Sequence, residues 1–143
     1  MLDRYQGDLV AIATDAIVAA PLTRWAHDRA ATGARVYRYR VDHPGAGPQL
    51  RATHTVEVPL LFGTWRDGGP GERLGGQAPG AEEVSAELVS AWGRFVHGES
   101  PGWAPVEANQ TLTHPNDPTL DTTDETVYSF GPWAQMGAFE GET

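Results

Sequence analysis

The 143-residue sequence contains no cysteine. A disulfide scaffold, a cysteine-based zinc site and a thiol nucleophile are thereby excluded. It contains no lysine either, so every cation is an arginine. No apolar run approaches the ~20 residues that a membrane-spanning helix needs. The best candidate, residues 9–22, is interrupted by Asp15 and Pro21. The first eight residues carry no basic start followed by an apolar stretch, so no secretory signal is visible in them.

Charge of one sign is also scarce where it matters. Residues 1–94 hold all 10 basic residues against 11 acids, and residues 95–143 hold 8 acids and no base. A phosphate-binding surface needs clustered cations, so no nucleic-acid partner is expected. The acidic end, residues 116–143, reads as a loop-rich, weakly ordered tail. What remains has ordinary globular composition, 40% hydrophobic, with enough length for one domain or part of one.

Two helices and a strand stand out. Residues 14–33 carry Val18, Leu22, Trp25, Ala26 and Ala30 on one helical face. Thr14 or Asp15 is the expected N-cap, Gly33 the expected C-cap glycine, and Pro21 a kink or a second start. Residues 35–41 alternate as a strand, with Tyr37, Tyr39 and Val41 on one face and Val36, Arg38 and Arg40 on the other. A second helix over 85–97 has Leu88, Trp92, Phe95 and Val96 as its stripe and Ser85 as its expected N-cap. Between them, residues 54–63 form a compact apolar unit that neither period settles. Residues 67–80, where 8 of 14 are Gly or Pro, read as an exposed, mobile loop. Thr126 to Phe130 is a short strand candidate.

Gly98-Glu-Ser100-Pro101-Gly102 matches the G-x-S-x-G nucleophile elbow, but the match is a decoy. An elbow needs a strand before it and a helix after it; here a helix precedes and a Pro-rich segment follows. The residue after the nucleophile must lend its N–H to the oxyanion hole, and Pro101 has none. The five histidines, His27, His43, His54, His97 and His114, show no metal-ligand spacing, so no metal is expected. His27 reads as an exposed or half-buried helix residue, and His43 and His114, each before Pro, as loop residues.

The segment Ala52-Thr-His54-Thr-Val-Glu57-Val-Pro-Leu-Leu-Phe-Gly63 resembles the block around the catalytic His of type B carboxylesterases. In that family a His is followed three residues on by a Glu and then by an apolar Pro/Phe-Gly run. The flanks agree in order. Thr14-Asp15 with Pro21 and Ala26 resembles the family's helix after its T-D step, and Gly33 to Tyr39 its last long strand. Val84-Ser85 through Leu88, Trp92 and Phe95 resembles its L-S-x-x-M-x-x-x-W-x-x-F helix, and Trp103-Ala-Pro105 its W-P step. The likeness covers residues 9–115. One departure is Thr55, where the family most often has Gly.

The resemblance implies an α/β class: the C-terminal portion of an α/β-hydrolase over residues 1–115, with one or two strands and at least two amphipathic helices. The family's triad runs Ser, acid, His along the chain. His54 is then the general base, with Ser and acid upstream of this sequence, and Glu57 holds the His loop rather than serving as the acid. No cofactor is called for. The implied partners are a small carboxylic ester in the full-length enzyme and an N-terminal half. Three accounts follow: a piece of an esterase, one half of a split enzyme, or a non-catalytic acidic binding protein derived from an esterase remnant.

Overall fold

The computed structural model describes residues 8–45, 52–76, 78–107 and 127–130. The chain divides into two compact units, Met1–Arg38 with Trp103–Val127 and Tyr39–Gly102 with Tyr128–Thr143.

The first unit opens with a continuous helical stretch: α1 (Leu9–Thr14), a five-residue π-helical turn (Asp15–Ala19) and α2 (Ala20–Ala31). The start lies earlier than the expected Thr14 or Asp15. Asp8 is the cap, its Oδ1 accepting the backbone N–H of Val10 and Ala11 at 3.1 and 3.0 Å. The π-turn lies directly before Pro21, which supplies no N–H to the ladder, and a widened turn absorbs that lost bond. Gly33 ends the helix as expected, in a left-handed conformation, with its N–H on the Ala30 carbonyl at 2.9 Å. By length and composition Leu9–Ala31 could cross a membrane.

The buried face of this helix keeps Ala26 and Ala30 of the expected stripe but not its larger members. Val18, Leu22 and Trp25 are exposed, whereas Ala19, Thr23, Ala26, His27 and Ala30 are buried. The face is set by what covers it: Val36 and Val106 pack on Ala26 and Ala30. The Val106 N–H donates to the Val36 carbonyl at 2.8 Å, and Trp103 meets Tyr37 edge-on, centroids 6.4 Å apart. Small residues allow that close approach, while the bulkier stripe turns outward. His27 is therefore buried, not half-exposed.

Strand β1 (Arg38–Val41) pairs with β2 (Val127–Phe130) in a two-stranded sheet. Apart from β2, the acidic tail lies outside the described residues. Of the arginines on the β1 face, Arg38 donates to Thr23 Oγ1 at 2.7 Å and Arg40 pairs with Asp42 at 2.8 Å.

In the second unit, α3 (Glu57–Phe62) resolves the ambiguous apolar segment as a helix. Pro59 fits because it sits in the first turn, where the N–H has no intrahelical partner. Gly63, left-handed at φ 73°, stops it, and a 3₁₀ turn (Thr64–Arg66) follows. Helix α4 (Ala81–Val96) begins four residues before the expected cap, behind a left-handed Gly80. Ser85 is thus an interior residue of α4. Leu88 and Leu60 are the fully buried centre, with Val56, Val84 and Ala91 around them. Trp92, Phe95 and Val96 are exposed, so only the N-terminal half of the expected stripe is covered.

Residues 67–80 are not the exposed loop that their composition suggests. They contain a π-helical turn (Glu72–Gly76) with Gly75 buried against Pro59 and Leu60. Gly45, Gly71 and Gly76 each lie so close to a carbonyl oxygen, of Leu74, Thr64 and Trp65 respectively, that no side chain fits. These glycines permit close backbone packing rather than motion.

Candidate functional site

Leaving β1 at Val41, the chain passes through Asp42, His43, Pro44 and Gly45 and returns at residue 52 to a tight turn carrying His54. Two bonds close that turn, Val56 N–H to the Thr53 carbonyl and Val58 N–H to the Thr55 carbonyl, both 3.1 Å. Val56 is buried behind the turn while His54 is exposed at its crest. Thr55 has φ 69°, the left-handed region, and is the only non-glycine residue so placed among those described. A β-branched residue is strained there. Its Oγ1 donates to the His54 carbonyl at 2.5 Å, tying the strained residue to the histidine it follows.

Glu57 opens α3 and is half-buried. Among the described residues it is not hydrogen-bonded to His54. Its charge acts on the Tyr39 phenol of β1. Burial pushes that phenol up from its ordinary value of 10, the Trp92 indole hydrogen-bonded to it pulls the other way, and Glu57 adds to the rise. Tyr39 and Trp92 also meet edge-on, centroids 6.3 Å apart. Strand β1 and helix α4 thereby meet through Tyr39 and Trp92.

His43 is a loop residue, as expected, but wholly buried. Its Nε2 lies 2.9 Å from the Gly75 carbonyl oxygen. That oxygen only accepts, so the neutral ring carries its proton on Nε2. Nδ1 is left buried with no partner among the described residues. Desolvation lowers the pKa of His43, against a smaller opposing pull from the Gly75 bond.

Ser100 lies on the exposed turn after α4, preceded by the left-handed Gly98 rather than by a strand. Arg94 Nε donates to the Pro101 carbonyl at 3.1 Å, and the Gly102 N–H to Ser100 Oγ at 3.3 Å. This is a helix-terminating turn. Among the described residues no three His, Asp or Glu side chains converge as metal ligands. His114 lies outside the described residues.

Sequence reasoning missed the contacts of Tyr39 with Trp92 and of Ser85 with Trp65 and the Leu60 carbonyl. One signal was present for Ser85: the acidic pair Glu82-Glu83 fits a first helical turn, and that puts Ser85 inside α4.

The carboxylesterase family model matches residues 2–136, which takes in residues 120–136, where the sequence carries no recognised motif. A probable N-octanoylanthranilate hydrolase of Rhodococcus erythropolis is 30% identical over 113 residues, 75% of this chain and 23% of the relative. The chain thus spans about a quarter of that relative's length. No solved structure matches. With a family match over nearly its whole length, and an α/β-hydrolase fold implied by it, the chain belongs to the carboxylesterase family.

Proposed function

We propose that this chain supplies the general base, His54, of a serine carboxylic-ester hydrolase whose nucleophile and acid lie on sequence N-terminal to it. The observation that carries the reading is the His54 turn itself. An exposed imidazole stands on a tightly closed turn, followed by a left-handed residue and, three positions on, by a glutamate that enters a packed helix.

In the assembled enzyme the His54 ring takes the proton of the serine hydroxyl as that oxygen adds to the ester carbonyl. It then gives the proton to the departing alcohol, leaving an acyl-serine. Water then adds to the acyl-serine carbonyl, losing its proton to His54, which returns it to the serine oxygen as that oxygen departs and the acid is released. Imidazole suits both steps because its ordinary pKa lies near neutral. Glu57, at the start of α3, holds the His loop and is not the triad acid. The relative's name describes hydrolysis of an N-acyl bond, which is acyl transfer to water of the same kind. The substrate class is a small carboxylic ester.

The test is reconstitution. The chain, joined to the N-terminal part of a related carboxylesterase, is assayed on short-chain nitrophenyl esters. Activity should appear, and His54→Ala should lower kcat by roughly three orders of magnitude, since base and acid roles are both lost. Full activity in His54→Ala would refute the assignment.

A further inference from the structure

We infer that Ser85 is a positioning residue for the His54 base, acting through the main-chain carbonyl of Leu60; the inference rests on the general-base reading above. Helix α3 has six residues. A helix that short has no independent stability, and its last carbonyls have no partner within it. The His54 turn is continuous with its N-terminus. Whatever holds α3 therefore holds the base.

Ser85 supplies that hold. Its Oγ donates to the Leu60 carbonyl at 2.6 Å in a buried bond, and it accepts from Trp65 Nε1 at 3.2 Å. One hydroxyl thus joins α4 to the end of α3 and to the 3₁₀ turn beyond Gly63, clipping the whole bend. A serine inside a helix usually bonds back to its own preceding turn, at some cost to the helix. Ser85 bonds across to another element instead, a use that alanine of nearly the same bulk cannot serve. Burial of Leu60 on α3 and Leu88 on α4 resists separation but not sliding. A directional bond to a main-chain oxygen fixes the register of α3 against α4. A general base must stay within about 0.5 Å of its working position, so register is what catalysis needs.

Trp92 follows Ser85 by seven residues, on the same face two turns later, and meets Tyr39 edge-on, so α4 also contacts β1.

The test uses the full chain with Ser85→Ala, Ser85→Thr, which keeps the hydroxyl, and Ser85→Cys, which keeps the size with a weaker donor. Amide exchange should accelerate about tenfold over α3 in Ser85→Ala, with α2 unchanged as the internal reference. Backbone relaxation of His54, Thr55 and Val56 should show the turn loosened. Ser85→Thr should behave as wild type and Ser85→Cys should fall between. In the reconstituted enzyme, Ser85→Ala should lower kcat about tenfold at unchanged KM, and Ser85→Thr should restore it. Exchange that rises equally in α2 and α3, or a kcat that is unchanged while His54→Ala abolishes turnover, overturns the inference. Unaltered turnover in His54→Ala overturns the general-base reading instead, and the exchange data then decide the role of Ser85 in holding α3.

Discussion

Two single residues carry consequences that composition does not reveal. Thr55 holds a left-handed conformation that costs a β-branched residue roughly 1–2 kcal/mol. Glycine there loses about 0.5–1 kcal/mol of chain entropy in exchange. Thr55→Gly should therefore stabilise the second unit by up to about 1 kcal/mol, read as a rise in urea midpoint. Thr55→Val, which keeps the strain and loses the bond to the His54 carbonyl, should destabilise it. That Thr stands where carboxylesterases favour Gly is visible in the sequence; why the position favours Gly becomes visible only from its φ. His43 gives a pH dependence. Its folded pKa lies below the ordinary 6.5, so the unfolded chain takes up the proton first. The contribution of His43 is complete above that value and is lost as pH falls through it toward the folded pKa. Protonation there creates a buried Nδ1 donor without a partner. Comparing urea midpoints of wild type and His43→Gln at pH 7.5 and 5.5 should show wild type losing more on acidification. Equal losses would place the dependence on other groups.

At the scale of elements, the sequence was most legible where one residue type has one use. Gly33 as a helix end, the strand ending at Val41 and the helix through Leu88 follow from such signals. It was least legible where a neighbour decides. The face of α2 depends on Val36 and Val106, and a period of 3.6 cannot say whether small or large residues meet them. The glycine-rich segment 67–80 misled for a related reason, since glycine marks both loose chain and close packing. Substitution separates the two uses. Gly76→Ala places a methyl group against the Trp65 carbonyl and should cost about 1–3 kcal/mol or prevent folding. Gly69, with open space around it, should accept Ala within about 0.5 kcal/mol. A thermal melt of each variant checks the pair. The candidate site divides in the same way. His54 and Glu57 are singled out by the family resemblance because that motif is local in sequence. Tyr39, Ser85 and Trp92 come from elements far apart in sequence, and their contacts arise only through packing.

Each of the two units exposes large apolar residues among those described. Val18, Leu22 and Trp25 are exposed in the first; Phe62, Phe95 and Val96 in the second. Scattered exposed apolar residues need no explanation, but these lie together along helices and include large aromatic rings. A sheet of two four-residue strands cannot cover them, since independent stability takes three or more strands with a packed face. The α/β-hydrolase fold of the family buries such helices on a larger sheet. The isolated chain should accordingly bind a hydrophobic dye and melt over a broad range, and adding the N-terminal part of a related carboxylesterase should reduce dye binding and sharpen the melt. The same geometry governs activity. On the proposed assignment the serine, the acid and the oxyanion donors belong to another segment, and His54 alone offers an ester no more than free imidazole does, because triad members act as a unit. The purified chain should then hydrolyse nitrophenyl esters no faster than buffer containing imidazole, with Ser100→Ala making no difference. Turnover by the chain alone that disappears in Ser100→Ala would make the exposed turn after α4 a true nucleophile, and the assignment of the serine to another segment would fall with it.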